Sequence, residues 1–118
     1  MTGAEFENVF TKWLFDKGFW ALNIPRNKFG AQPFDIIAIK DDFVWAIDCK
    51  VCGQNRLDLR RVEPNQMSAF NALQTRTNAH CSFVCWHKNV MYEITFDEVR
   101  KALSMGSASI KLEHILTN

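Results

Sequence analysis

Residues 33–50 read PFDIIAIKDDFVWAIDCK, two apolar runs of strand length joined by the polar triplet Lys40, Asp41 and Asp42. Short apolar runs bounded by turn residues are strands, and so brief a connection joins them only as an antiparallel hairpin. The hairpin carries charge where a core strand should be apolar. In an extended 43–51, Asp48 and Lys50 stand on one face, about 6.6 Å apart along the chain, while Ile47, Cys49 and Val51 face the opposite way. Asp35, on the neighbouring strand, can reach the Asp48 surface near the strand end. Carboxylates at close range repel, and buried charges persist only when paired or bound to a cation. A hard divalent ion such as Mg²⁺ meets that need with oxygen ligands, and Mn²⁺ can substitute. The plainer alternative is a sheet with one wet face, on which Asp48 and Lys50 neutralise each other as a surface pair.

The rest of the chain supplies elements to cover such a hairpin. Residues 4–17 repeat Phe6, Val9, Phe10, Trp13 and Leu14 at helical spacing, with Gly18 as the stop. Thr2 with Glu5 is a capping box, which gives Glu5 a structural task. Glu7 has no such task and borders the apolar face near Phe10 and Leu14, where a carboxylate can look into a shared cleft. Residues 19–24 are expected to form a strand closed by Pro25, followed by a loop with Arg26 and Lys28. Pro64 opens a second helix, with Met67, Ala69, Phe70 and Leu73 on its buried side. Residues 80–86 and 90–94 form strands around a turn at Lys88 and Asn89, and Thr95 with Glu98 caps a last helix that Gly106 ends. The final dozen residues, with Ile110, Leu112, Ile115 and Leu116, add a strand or a docking tail.

With 118 residues, 47% of them apolar, the expectation is a single domain over 1–118. No apolar run is long enough to cross a bilayer, and the acidic start MTGAEFENVF is unlike a signal peptide, so the expected location is cytoplasmic, with no membrane partner. A net charge of +1 excludes blanket basicity, leaving local patches for any nucleic-acid contact. One such patch is KVCGQNRLDLRR (50–61), read as a loop around Gly53, Gln54 and Asn55. Its Arg56, Arg60 and Arg61 either follow a phosphate backbone or are solvated surface charges. The four cysteines do not fit zinc. In strands Cys49 and Cys52 point to opposite faces, and Cys81 and Cys85 stand about 13 Å apart, so they read as reduced, mostly buried small apolar residues.

From Glu7 through Pro33-Phe34-Asp35 to Asp48-Cys49-Lys50, order and spacing resemble the PD-(D/E)XK nucleases, the restriction-endonuclease-like superfamily, with Phe34 separating the proline from the aspartate. The opening TGAEFENVFTKWLFDKGFWALNIPRN is similar to that of Holliday-junction resolvases of the archaeal and RecU-like types, and LDLRRVEPNQMSAF resembles the RecU-like loop and glutamine-bearing helix. The resemblance spans residues 3–75. It implies an α/β fold with a mixed central sheet flanked by helices. It implies Asp35 and Asp48 as metal ligands, the backbone carbonyl of Cys49 as a third, and Glu7 as a direct or water-mediated one. Lys50 would position or deprotonate the attacking water and stabilise phosphoryl charge, and Gln66 would orient water or contact phosphate unless it is a surface hydrogen bonder. The implied activity is Mg²⁺-dependent cleavage of DNA, foremost four-way junctions in recombination and repair, by a two-fold homodimer. Arg56, Arg60 and Arg61, or Arg26 and Lys28, would hold the DNA backbone. Nicked, flapped or linear duplex DNA is the alternative substrate. A silent DNA-binding module of the same fold is the alternative class, against which the complete set of acids and lysine argues.

Overall fold

The computed structural model describes residues 1–25 and 32–116; Arg26 and Lys28, the candidate phosphate contacts of the first loop, lie outside the described residues. The elements run α1 (Gly3–Asp16), β1 (Trp20–Asn23), β2 (Ile36–Lys40), β3 (Phe43–Val51), β4 (Arg56–Asp58), a 3-10 turn (Leu59–Arg61), α2 (Pro64–Arg76), β5 (His80–His87), β6 (Val90–Thr95), α3 (Phe96–Ser104) and β7 (Ser109–Lys111).

The α1 helix begins as its sequence dictates. Thr2 Oγ1 accepts from the Glu5 N–H at 3.1 Å while Glu5 accepts from the Thr2 N–H, closing the capping box. Phe6, Phe10 and Leu14 are fully buried, but Val9 is 40% exposed, so the buried stripe is narrower than the apolar spacing implies. Gly18, at φ +89°, ends the helix in a conformation that disfavours a side chain. Beside it Lys40 Nζ donates to the Lys17 carbonyl at 2.8 Å, placing a cation at the helix C-terminus.

Five strands form the central sheet in the order β1-β2-β3-β5-β6, with β3 and β5 parallel and every other neighbour antiparallel. The β2–β3 and β5–β6 hairpins turn at Asp41 and at Lys88-Asn89, all three with positive φ as two-residue hairpins require. A parallel pair needs a long crossover, and the chain between β3 and β5 provides it as β4, the 3-10 turn and α2. The helix α1 covers one sheet face through Phe6, Phe10, Leu14, Ile36, Trp45 and Ile47. On the other face Phe70 of α2 and Phe96 and Val99 of α3 pack against Ala46, Phe83 and Ile94. With both faces covered, β3 is no wet-faced strand.

The segment expected to be a loop at 50–61 is more ordered than its glycine and polar residues imply. Its second half pairs as β4 with β7 in a separate two-stranded sheet, burying Leu57, Leu59 and Leu112. The tail docks as well: the Glu93 N–H bonds to the His114 carbonyl and the Leu116 N–H to that of Met91. Among the described residues no helix is long and apolar enough to cross a membrane.

Candidate active site on strand β3

Alternation along β3 aims Asp48 and Lys50 toward the α2 side, opposite Ile47 and Cys49, which pack with the α1 layer. Asp48 is only 2% exposed, which excludes the solvated surface pair. Lys50 Nζ lies 3.0 Å from Asp48 Oδ2, but off the angle of a hydrogen bond, so this buried oxygen has an ion partner and no hydrogen-bond donor. Asp35 precedes β2. Because Ile36 pairs with Ile47, one further step of the register sets Asp35 opposite Asp48. Its backbone is pinned on both sides, by Asp35 N–H to the Ile47 carbonyl at 3.0 Å and Ile24 N–H to the Asp35 carbonyl at 2.8 Å. Its side-chain Oδ2 accepts the Cys49 N–H at 2.7 Å. In a strand the carbonyl of a residue leaves on the same edge as its N–H, so the Cys49 carbonyl also faces the Asp35 side, beyond the end of β2.

The electrostatics follow from this geometry. Burial raises the Asp48 carboxyl, Lys50 draws it back, Asp35 pushes it up again, and the result is about 7. The Cys49 thiol is driven well above its usual range by burial and then by the charges of Asp35, Asp48 and Glu7. Glu7 is half-buried on α1, on the face of the sheet opposite Asp48 and Lys50, where its charge helps to raise the Cys49 thiol. Among the described residues no three His, Cys, Asp or Glu side chains form a metal-holding group. Two opposed carboxylates and a backbone carbonyl are nonetheless a donor set suited to a hard, oxygen-preferring cation, and the orphaned Asp48 oxygen is a ready ligand.

Gln66 completes the constellation from α2. It is buried, its Oε1 accepts the Glu63 N–H at 3.1 Å in the helix cap, and Lys50 Nζ lies 3.4 Å from the same oxygen. It is therefore not a surface hydrogen bonder; it ties the start of α2 to Lys50.

No protein-family model matches this sequence, and no curated protein does. A solved structure does: Hjc, a Holliday junction resolvase from the archaeal hyperthermophile Archaeoglobus fulgidus, matches with a TM-score of 0.66 over 80% of this chain and 78% of that one, at 18% identity. The chain therefore shares the fold of that resolvase, a mixed five-stranded sheet flanked by helices.

Around this resolvase fold the basic residues of the crossover are partly engaged. Arg60 is clasped by Asp58, Nη2 to Oδ2 at 2.7 Å, and Arg61 Nη1 donates to the Val51 carbonyl at 2.7 Å. Arg56 is exposed on β4. Sequence reading missed that Arg61 anchors the end of β3 and that Asp58 neutralises Arg60; the i,i+2 spacing of Asp58 and Arg60 was the available signal. A groove of about 850 Å³ lined by Trp13, Phe19, Phe43 and Trp45 lies at the other end of β3 from Lys50. Its carboxylates, Asp41 and Asp42, are exposed on the hairpin turn, whereas Asp35 and Asp48 are buried and opposed, which makes them the candidate site.

Proposed function

We propose that this chain is a metal-dependent DNA endonuclease that hydrolyses phosphodiester bonds in branched DNA, foremost four-way junctions. The observation that carries the reading is the buried Asp35, Asp48 and Lys50 constellation, with a donor-less carboxylate oxygen, on a resolvase-type fold. Asp35, Asp48 and the Cys49 carbonyl would hold Mg²⁺ or Mn²⁺, with Glu7 acting directly or through water. The ion supplies Lewis-acid stabilisation of phosphoryl charge and a more acidic water. With the carboxylates neutralised, Lys50 is relieved as the counter-ion of Asp48. Its ammonium can then donate to a phosphoryl oxygen or orient the attacking water, while Gln66 limits where that ammonium can go. Two cuts placed symmetrically across a junction call for two copies, and a two-fold homodimer is part of the proposal.

The deciding experiment compares a four-way junction with linear duplex of the same sequence, in Mg²⁺, in Mn²⁺ and in chelator. Junction-selective, cation-dependent cleavage is expected, lost by about 100-fold or more in Asp35→Ala, Asp48→Ala and Lys50→Ala while DNA binding persists. Ordinary cleavage by Asp48→Ala would overturn the site assignment, and equal cutting of duplex would move the substrate to unbranched DNA.

A further inference from the structure

The two-stranded sheet of β4 and β7 sets two cations face to face. The Leu112 N–H donates to the Asn55 carbonyl at 3.1 Å and the Leu59 N–H to the Ala108 carbonyl at 2.9 Å. Hydrogen-bonded positions alternate along an antiparallel ladder, so Leu57 with Ile110 is such a position and the neighbouring Arg56 with Lys111 is not. Partners of the second kind stand closest, about 4.5 Å apart between Cα atoms, and like charges directly opposite each other there work against the pairing. Leu57 and Ile110 take the face that packs on the core, which leaves Arg56 and Lys111 exposed on the other.

No acid pairs with them. Asp58, next on that face of β4, is spent on Arg60, which donates to both of its carboxylate oxygens. Among the ion pairs of the described residues none includes Arg56 or Lys111, nor Glu113 two residues further on. Water screens an exposed pair of cations without neutralising it. Two surface clefts, of about 520 and 340 Å³, meet at Arg56, Asp58 and Arg60, and Ser107 and Ser109 bring hydroxyl donors to the larger one.

A ladder position that repels in the free protein suits an anion that bridges it, because one phosphate oxygen can accept from the guanidinium while another accepts from the ammonium. The ribbon also starts where a DNA strand would leave the site. Only 52–55 separate β3 from β4, so the Cα of Arg56 lies no more than about 22 Å from that of Lys50, less than one turn of duplex.

We propose that Arg56 and Lys111 form a clamp on a backbone phosphate of DNA, holding the strand beside Asp35, Asp48 and Lys50. The identity of the ligand rests on the nuclease reading; the opposed cations do not. Lys111 thereby joins the DNA-contacting surface from more than fifty residues further along the chain, and the clamp positions the strand without reading its bases.

Binding of a four-way junction by the full chain is titrated against salt in chelator, where no metal-dependent cleavage intervenes, and melting is followed without DNA. Lys111→Ala should weaken binding at low salt by about 10-fold and make the salt slope shallower by about 0.9, equally for junctions of different sequence. Lys12→Ala removes the same charge from the solvent side of α1 and should leave the slope unchanged. Lys111→Glu turns the repulsion into attraction to Arg56, so it should raise Tm by about 1–4 °C while weakening binding further than Lys111→Ala does. Wild-type binding by Lys111→Ala, or equal losses in Lys111→Ala and Lys12→Ala, overturns the clamp. A lower Tm for Lys111→Glu than for wild type also overturns it, by assigning Lys111 to the packing of the ribbon. Binding that depends on Lys111 in a protein that cuts no DNA in Mg²⁺ or Mn²⁺ upholds the clamp and removes the nuclease reading.

Discussion

Asp48 and Lys50 form a 3.0 Å ion pair with side chains only 3% and 12% exposed, and Asp48 Oδ2 still lacks a hydrogen-bond donor. Such a pair recovers only part of what burying its charges costs. The folded carboxyl titrates at about 7, above an ordinary value of about 3.9, so the folded chain holds the proton more tightly than the unfolded chain. Ionised Asp48 therefore opposes folding. Its cost is absent below about pH 4, grows as pH rises, and is complete above about pH 7, at roughly 4 kcal/mol. Asp48→Asn should raise stability at pH 8 by about 2 kcal/mol, since some of the gain is offset by losing the pair with Lys50, and Tm by several degrees. At pH 4 the gain should vanish. Thermal melts at the two pH values check this, and an unchanged or lower Tm at pH 8 would contradict the burial cost.

Glu5 and Glu7 separate on one helix. Glu5 closes the cap with Thr2, whereas the charge of Glu7 raises the Cys49 thiol. Glu7→Gln should slow cleavage by about 10-fold or more with little change in stability, whereas Glu5→Gln should leave cleavage alone and cost up to about 1 kcal/mol. Parallel rate and melting measurements on the two variants decide it; equal rates for Glu7→Gln and wild type would remove Glu7 from the chemistry.

Much of this geometry was legible in the sequence because it depends on local rules. Strand parity put Asp48 and Lys50 on one face and Cys49 on the other, the hairpin brought Asp35 within reach of that face, and three helix starts were marked by caps or by Pro64. What stayed hidden depends on distant partners. The strand β4 exists because Leu57 finds Ile110 of β7 across more than fifty residues of chain, a pairing that no local pattern specifies. Gln66 reads either as an active-site residue or as a surface hydrogen bonder until Lys50 and the cap are seen to converge on its carbonyl oxygen. The missing hydrogen bond at Asp48 Oδ2 is likewise a matter of angles rather than of spacing.

Gln66 can be dissected because its two tasks need different atoms. Glutamate also closes a capping box, so Gln66→Glu should keep the fold to within about 1 kcal/mol while adding a negative charge against Lys50. Its cleavage should fall through kcat with KM little changed. Gln66→Ala loses cap and contact together, with about 1–2 kcal/mol of stability lost as well. Steady-state kinetics of Gln66→Glu matching wild type would reduce Gln66 to a helix cap.

His80 Nε2 and Glu93 Oε2 meet at 2.6 Å between β5 and β6, which raises the histidine. For Glu93, burial pushes upward, but the hydrogen bonds from His80 and Ser82 outweigh it and the carboxyl is lowered. The histidine contribution is complete below an ordinary value of about 6.5 and fades as pH rises through the raised folded value; the glutamate contribution is present above about 4.3 and fades on acidification. The pair therefore supports the fold most between those limits. With the imidazole 36% exposed, solvent holds the effect to about 1 kcal/mol or less. His80→Gln should lower Tm at pH 5.5 and less so at pH 9; a pH-independent loss would assign His80 to packing against Phe43 and Trp45 instead.

The arginines of the crossover should differ in their grip on DNA because the fold engages them differently. Arg60 spends its guanidinium on Asp58, Arg61 holds the Val51 carbonyl, and Arg56 is exposed on β4. Each phosphate contact contributes about 0.9 to the slope of log affinity against log salt on B-form DNA, and such contacts carry no sequence information. Arg56→Ala should make the slope shallower by about that amount without changing sequence preference. Arg60→Ala alone should do less, since Asp58 already screens it. Asp58→Asn keeps an oxygen to accept the Arg60 N–H that opens the 3-10 turn while removing the competing charge. That substitution should free Arg60 for phosphate, steepening the slope and restoring the sensitivity to Arg60→Ala. Salt titrations on matched junctions read all four outcomes. Identical slopes for wild type, Arg56→Ala and Asp58→Asn would show that this edge faces solvent and that DNA is held elsewhere.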